Sequence, residues 1–170
     1  LFYKGELDQL EKQSQQNMGR FMKILLVKRL ESSFFAFKNS IDRFIYSYDL
    51  FIKEFEKGNV YVSKKNINKI FEYLEDDDDE AIAKLIDDDK AQKYDANDFD
   101  DKYIENLTVD YKILQEIRML WLGIDRDPKL EKFMDALATE NTLKEKHIII
   151  FTESKETAHH ISKRLDDTYP

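Results

Sequence analysis

The 170-residue chain predicts a mainly helical fold: an irregular helical bundle with a long heptad-patterned helix, followed by a single strand and helix from an incomplete α/β unit. Three observations carry this expectation. Four glycines and two prolines leave little turn chemistry over such a length and favour long helices. From Val27 to Phe55 apolar residues recur at alternating spacings of three and four, a seam on one helix. Near the end, Ile148 to Phe151 is a continuous apolar run, the pattern of a strand buried on both faces of a parallel sheet. Such a strand needs paired neighbours and covering helices. The run, together with a first residue that is Leu1 rather than Met, therefore reads as part of something larger.

The first helix is expected from about Arg20 to Lys57, an arm of roughly 55 Å at the standard rise. Its seam is Val27, Leu30, Phe34, Phe37, Ile41, Phe44, Tyr48, Phe51 and Phe55. So much aromatic bulk suits an antiparallel bundle better than a slim parallel dimer, which prefers branched aliphatics. Gly58 is placed to end the helix in a left-handed conformation. A second helix starts at Ser63, with Val62 and Ile67 as a staple and Ile67, Ile70, Phe71 and Leu74 as its face. It stops at the acidic run from Asp76 to Glu80. A short third helix carries Ile82, Leu85 and Ile86 and ends in Asp87, Asp88 and Asp89. The fourth runs from about Asp98 to Gly123 with Ile104, Leu107, Tyr111, Leu114, Ile117 and Trp121 on its stripe. Asp127 caps a fifth with Pro128 at its first position, and Leu130, Phe133, Met134 and Leu137 mark its apolar side. Asn141 to Glu145 reads as the loop into the strand, and Ser154 as the cap of a last helix whose inner side is Ala158, Ile161 and Leu165.

Composition bounds the function. Hydrophobic residues at 42% and aromatics at 13% are enough for a real core. The net charge of −8 argues against simple nucleic-acid binding, but it is unevenly spread. From Met18 to Arg43 six basic residues face two acidic ones, whereas from Glu72 to Asp110 sixteen acidic residues face four lysines. A basic first part can meet phosphate while the acidic middle faces water or a basic partner. Cysteine is absent, which removes disulfide and thiolate chemistry and accords with a reducing, cytoplasmic setting. No run reaches the roughly 18 apolar residues of a membrane span, and no signal peptide opens the chain.

Three pieces in order carry a family resemblance. They are Ile24-Leu25-Leu26-Val27-Lys28-Arg29-Leu30-Glu31-Ser32-Ser33, then Asp127-Pro128-Lys129-Leu130 with its amphipathic helix, then Ile148-Ile149-Ile150-Phe151-Thr152-Glu153-Ser154. Together they resemble the second RecA-like lobe of SNF2-type helicases, closest to bacterial RapA-like members and those that carry a phospholipase D-like nuclease domain. The resemblance implies that residues 1–33 lead into that lobe and that 34–126 are a helical insertion. Residues 127–170 would then open the lobe with its motif IV strand and the following helix. The separation of Ser33 from Asp127 departs from the usual pattern. The parent protein would be a DNA-dependent ATPase using ATP and magnesium, acting on duplex DNA through the full motor. The insertion would couple the lobes or dock a protein partner.

This segment supplies none of the catalytic parts itself. A phosphate loop needs closely spaced glycines and a lysine, and Gly5, Gly19, Gly58 and Gly123 are far apart. A Walker B pair is missing, and the arginine finger of the second lobe would lie past Pro170. The nucleic-acid-binding candidates are Lys28, Arg29, Thr152, Ser154 and Lys155, since hydroxyls, backbone N–H groups and cations at a helix start can hold a phosphate. Against this stand plainer readings: Ser154 as a helix cap, and Lys28 and Arg29 as a solvated flank of the seam. Asp76 to Glu80 lacks the alternation and glycine of a calcium loop, and the adjacent His159 and His160 lack zinc spacing. Tyr61 and Trp121 are read as packing rather than base-stacking residues. Two rival functions remain in view: a self-contained helical interaction module, and an acidic DNA mimic built on the middle of the chain.

Overall fold

The computed structural model describes residues 3–4, 22–62, 92–144 and 147–169, and over these the protein is mainly helical. Helix α1 covers 22–32 and α2 covers Phe34–Glu56. Strand β1, Asn59–Val62, pairs antiparallel with β2, Gln92–Asp95. A 3-10 turn, Ala96–Asp98, leads into α3, Asp101–Leu122. Then come α4 (Pro128–Thr139), the short α5 (Asn141–Lys144) and α6 (Lys155–Thr168). The helices expected after Ser63, and the acidic runs from Asp76 to Glu80 and from Asp87 to Asp89, lie outside the described residues.

The expected single arm from Arg20 to Lys57 is two helices. Ser33 is extended at φ −161° and ψ 154°, and its Oγ accepts the N–H of Ala36. A serine whose hydroxyl takes a first-turn donor restarts a helix instead of continuing one. The break has a packing consequence, because Leu25 joins Phe37, Ile41, Phe44 and Leu114 in one buried cluster. In an unbroken helix Leu25 and Phe37 would stand about 18 Å apart along the axis. The interruption therefore brings α1 against α2 and α3. Leu30 and Tyr48 flank the cluster, while Val27 and Phe51 of the expected seam are exposed.

Helix α3 lies antiparallel along α2. The ring of Phe37 meets Trp121 at 4.8 Å near one end, and Phe55 meets Tyr103 at 5.8 Å near the other. The expected stripe of α3 is its shielded face, with Leu114 buried and Ile104, Leu107, Tyr111, Ile117 and Trp121 half-buried. Its start shifts from Asp98 to Asp101 because the Asp100 carboxylate accepts the N–H of Lys102 at 2.9 Å. Gly58 ends α2 with φ 84°, a conformation open to glycine at no steric cost.

The sheet was not expected. Asn59 pairs with Asp95 and Val62 with Gln92, so the two strands are separated by a long excursion and no local turn signal marks them. Next to it, Tyr3 bridges to Phe99, and its ring packs against Tyr94 and Phe99 at 5.2 and 5.3 Å. Residues 141–144, expected as loop, form a helical turn begun by the N–H of Leu143 bonding to the carbonyl of Glu140.

Ile148 to Phe151 is not a buried strand. The run has no strand pairing, and the four side chains are 42%, 78%, 37% and 90% exposed in order. Among the described residues the β1–β2 pair is the only sheet, and it stands at the end of α2 away from α6. Among the described residues the run therefore has no ladder to join. What survives of strand character is the alternation itself, with Ile148 and Ile150 partly sheltered and Ile149 and Phe151 open.

Candidate nucleic-acid interface

Helices α2, α4 and α6 begin at one place. The residues that start them, Ser33, Asp127 and Ser154, are all buried. Asp127 serves two helices: its Oδ1 accepts the N–H groups of Lys129 and Leu130 at 3.1 Å, and its Oδ2 accepts that of Phe34 at 2.9 Å. Ser154 Oγ accepts the N–H of Thr157 at 3.3 Å. The hydroxyl of Thr157 lies 2.8 Å from Ser32 Oγ and 3.1 Å from Ser33 Oγ, which ties α6 to the break between α1 and α2. Lys129 Nζ donates to the carbonyl of Glu31 at 2.6 Å.

The same junction continues along α2. Arg43 pairs with Glu156 in a largely buried ion pair and donates to Ser40 Oγ at 3.1 Å. His160 stacks flat on Phe35, ring centroids 4.4 Å apart and planes 6° from parallel. Burial holds His160 below the usual imidazole range, with Arg164, Lys163 and His159 acting the same way and Asp127 opposing.

Helix starts carry partial positive charge, so three of them together favour an anion. Much of that preference is met by the protein's own carboxylates, Asp127 between α2 and α4 and Glu156 in the first turn of α6. The five candidate residues fall accordingly. Arg29 is 4% exposed and Ser154 1%, so both are built into the junction. Lys28, Thr152 and Lys155 are exposed. Lys28 Nζ stands 3.9 Å from the exposed Glu153 carboxylate, and Thr152 lies beside Ser32. The surface left for a phosphate is thus Lys28, Thr152 and Lys155, with Glu153 as its nearest competitor.

Sequence reading placed Asp127 and Ser154 correctly as caps, and missed the partnership of Ser32, Ser33 and Thr157 and the Arg43–Glu156 pair. The available signal was the pair of serines inside an otherwise helical seam, a residue type that prefers caps to helix interiors.

Gly58 and Gly123 end helices, with nothing crowding either position, and neither belongs to a phosphate cradle. Among the described residues no group of three or more His, Cys, Asp or Glu is placed to hold a metal ion. No described helix is long and apolar enough to cross a membrane. Trp121 packs between Phe34 and Phe37 at 4.8 Å from each, consistent with a core role. No protein-family model matches the chain, and searches of curated proteins and of solved structures give no match.

Proposed function

We propose that the chain is part of a SNF2-type DNA-dependent ATPase, in which it supplies a helical insertion fastened to the opening of the second RecA-like lobe. In this role it contacts the DNA backbone and couples the lobes, and it carries out no catalysis by itself. The observation that supports the reading is convergence. The first sequence piece that bears the resemblance, with the residue after it, bonds to the other two or their immediate continuations across 93 to 125 residues of chain: Ser32 and Ser33 with Thr157, the Phe34 N–H with Asp127, and Glu31 with Lys129. In the parent motor ATP and magnesium would be held by other residues, and this segment's part would be to move with its lobe.

The coupling idea follows from how the insertion is attached. Helix α2 is braced on one side by α3 and on the other by α6, through the Arg43–Glu156 pair and the Phe35–His160 stack. A lobe motion that shifts α6 therefore carries α2 with it. The exposed apolar residues Met119, Leu120 and Leu122 of α3 favour the second reading, a helical interaction module.

The test is a titration of the chain with duplex and single-stranded DNA at low and moderate salt, with Lys28→Ala/Lys155→Ala as the variant. Salt-sensitive binding that this variant loses while its far-UV spectrum is unchanged supports a DNA contact, because each phosphate contact weakens steeply with salt. Absence of binding at low salt rejects the DNA contact and leaves the docking role. Arg29→Ala is expected to destabilise the fold and so belongs outside the DNA test.

A further inference from the structure

We infer that α4 to α6 form a unit that undocks through a polar seam from the body made by α1, α2 and α3, while that body stays folded. Apolar and polar burial are separated in the described residues. The apolar cluster around Phe37 and Ile41, with the partly buried hydrophobics packed against it, belongs to α1, α2 and α3. From Asp127 to Tyr169 the buried residues among those described are Asp127, Ser154 and Thr157, and all three are polar. Leu130, Phe133, Met134 and Leu137 of α4 reach only half-burial, as do Ile161 and Leu165 of α6.

The seam is where these polar residues meet the body. Asp127 takes the N–H of Phe34, Lys129 donates to the Glu31 carbonyl, and Thr157 lies on the hydroxyls of Ser32 and Ser33. Arg43 pairs with Glu156, and His160 stacks on Phe35. When such a seam opens, water restores its hydrogen bonds, so their net contribution is small. The Coulomb gain of a buried ion pair is largely offset by the desolvation of both charges. Unfolding the body, by contrast, exposes the apolar cluster and forfeits the dominant favourable term of folding. The seam therefore opens at lower cost than the body unfolds, and with less apolar surface exposed. Interfaces of this polar kind inside a chain permit relative movement, as large hydrophobic ones do not.

Helices α4 and α6 leave together because they stand side by side. The Glu131 carboxyl of α4 is held below its usual range by its hydrogen bond with Arg126 and, as a lesser cause, by Arg164 of α6. Asp127, at the start of α4, likewise acts on His160 of α6. The coupling of α2 to a lobe motion, which rests on the functional reading above, then holds only while the seam is closed.

The experiment is native-state hydrogen exchange on the 170-residue chain over a series of urea concentrations below the unfolding transition. Protection factors of α4 and α6 amides are expected to lie at least about thirtyfold below those at the centres of α2 and α3, and to fall less steeply with urea, because the slope follows the surface exposed. Phe35→Ala removes the stack from the body's side of the seam. It should lower α4 and α6 protection about tenfold and leave α3 unchanged. Ile41→Val loosens the body's core and should lower α2 and α3 protection about fivefold, with α4 and α6 constant to within about twofold. One common protection and urea slope for all four helices, absence of protection in α4 and α6, an effect of Phe35→Ala shared equally by α3, or an effect on α6 without α4 would each overturn the inference. No DNA enters this measurement, so a split in protection with no DNA binding would keep the seam and reject the DNA contact.

Discussion

Asp127 is the residue on which most depends, because one carboxylate closes the start of α4 and takes the first N–H of α2. Asp127→Ala removes both acceptors from a buried position and is expected to cost about 1–3 kcal/mol in urea unfolding. A loss below about 0.5 kcal/mol would mean that water replaces the carboxylate and that the junction is less closed than its burial indicates. His160 supplies a second prediction. Its pKa is depressed by burial against Phe35, so the folded protein favours the neutral ring and the unfolded chain binds the proton more readily. Stability from this group is fully present above the ordinary histidine range and is lost as pH falls through the depressed folded value. Protection factors of α6 amides, taken relative to the intrinsic exchange rate at each pH, are therefore expected to fall on acidification below neutrality, and His160→Phe to flatten that dependence between about pH 7 and pH 5. An unchanged profile in the variant would assign the pH response to other groups. At this scale the caps were legible, since Asp-Pro at a helix start has a local cause. The burial of Arg29 was not, because a basic residue beside a seam looks the same in sequence whether it faces solvent or a neighbouring helix.

The elements show where periodicity is informative and where it misleads. The spacing of three and four continues across Ser33 without a fault, so the seam reads as one helix, yet the chain restarts there. Periodicity records which residues want burial and is blind to a one-residue change of direction. A measured distance decides the point: spin labels at positions 24 and 50 of one straight helix would stand roughly 39 Å apart. The break predicts a clearly shorter separation, and a value near the straight-helix figure would return α1 and α2 to a single arm. The tie between α2 and α6 was equally hidden, since Arg43 and Glu156 are remote in sequence. Arg43→Ala leaves the mostly buried Glu156 carboxylate without this cation and is expected to cost about 3–5 kcal/mol, whereas replacing exposed pairs such as Lys53–Asp49 should change stability by under about 0.5 kcal/mol. The sheet escaped notice for another reason. Val60, Tyr61 and Val62 after Gly58 were a strand signal, but their partner, Gln92 to Asp95, has no β-branched residue and lies far along the chain.

For the whole molecule, the question is whether residues 34–126 are a detachable arm clipped on at Ser33 and Asp127. Those two boundaries came from the resemblance; of the two residues only Asp127 was read as a cap in the sequence, and the structure joins the two places through the Phe34 N–H and the Asp127 carboxylate. The core does not respect them. Leu25, with Met22, Leu26 and Leu30 beside it, packs on Phe37, Ile41, Phe44 and Leu114, so α1 has its apolar partners inside the segment that follows it. If Ser33 were joined directly to Asp127, α1 would keep the hydroxyl contacts of Ser32 and Ser33 to Thr157 and lose nearly all of its hydrophobic burial. Truncations that empty a site of this kind cost several kcal/mol per large side chain, and a helix of α1's length is marginal in water without packing. The shortened chain is therefore expected to show unprotected α1 amides in hydrogen exchange. Protection of α1 equal to that in the full chain would show the arm to be separable. Loss of protection means that the arm and α1, which bears Lys28 on its surface, share one core and move as one body.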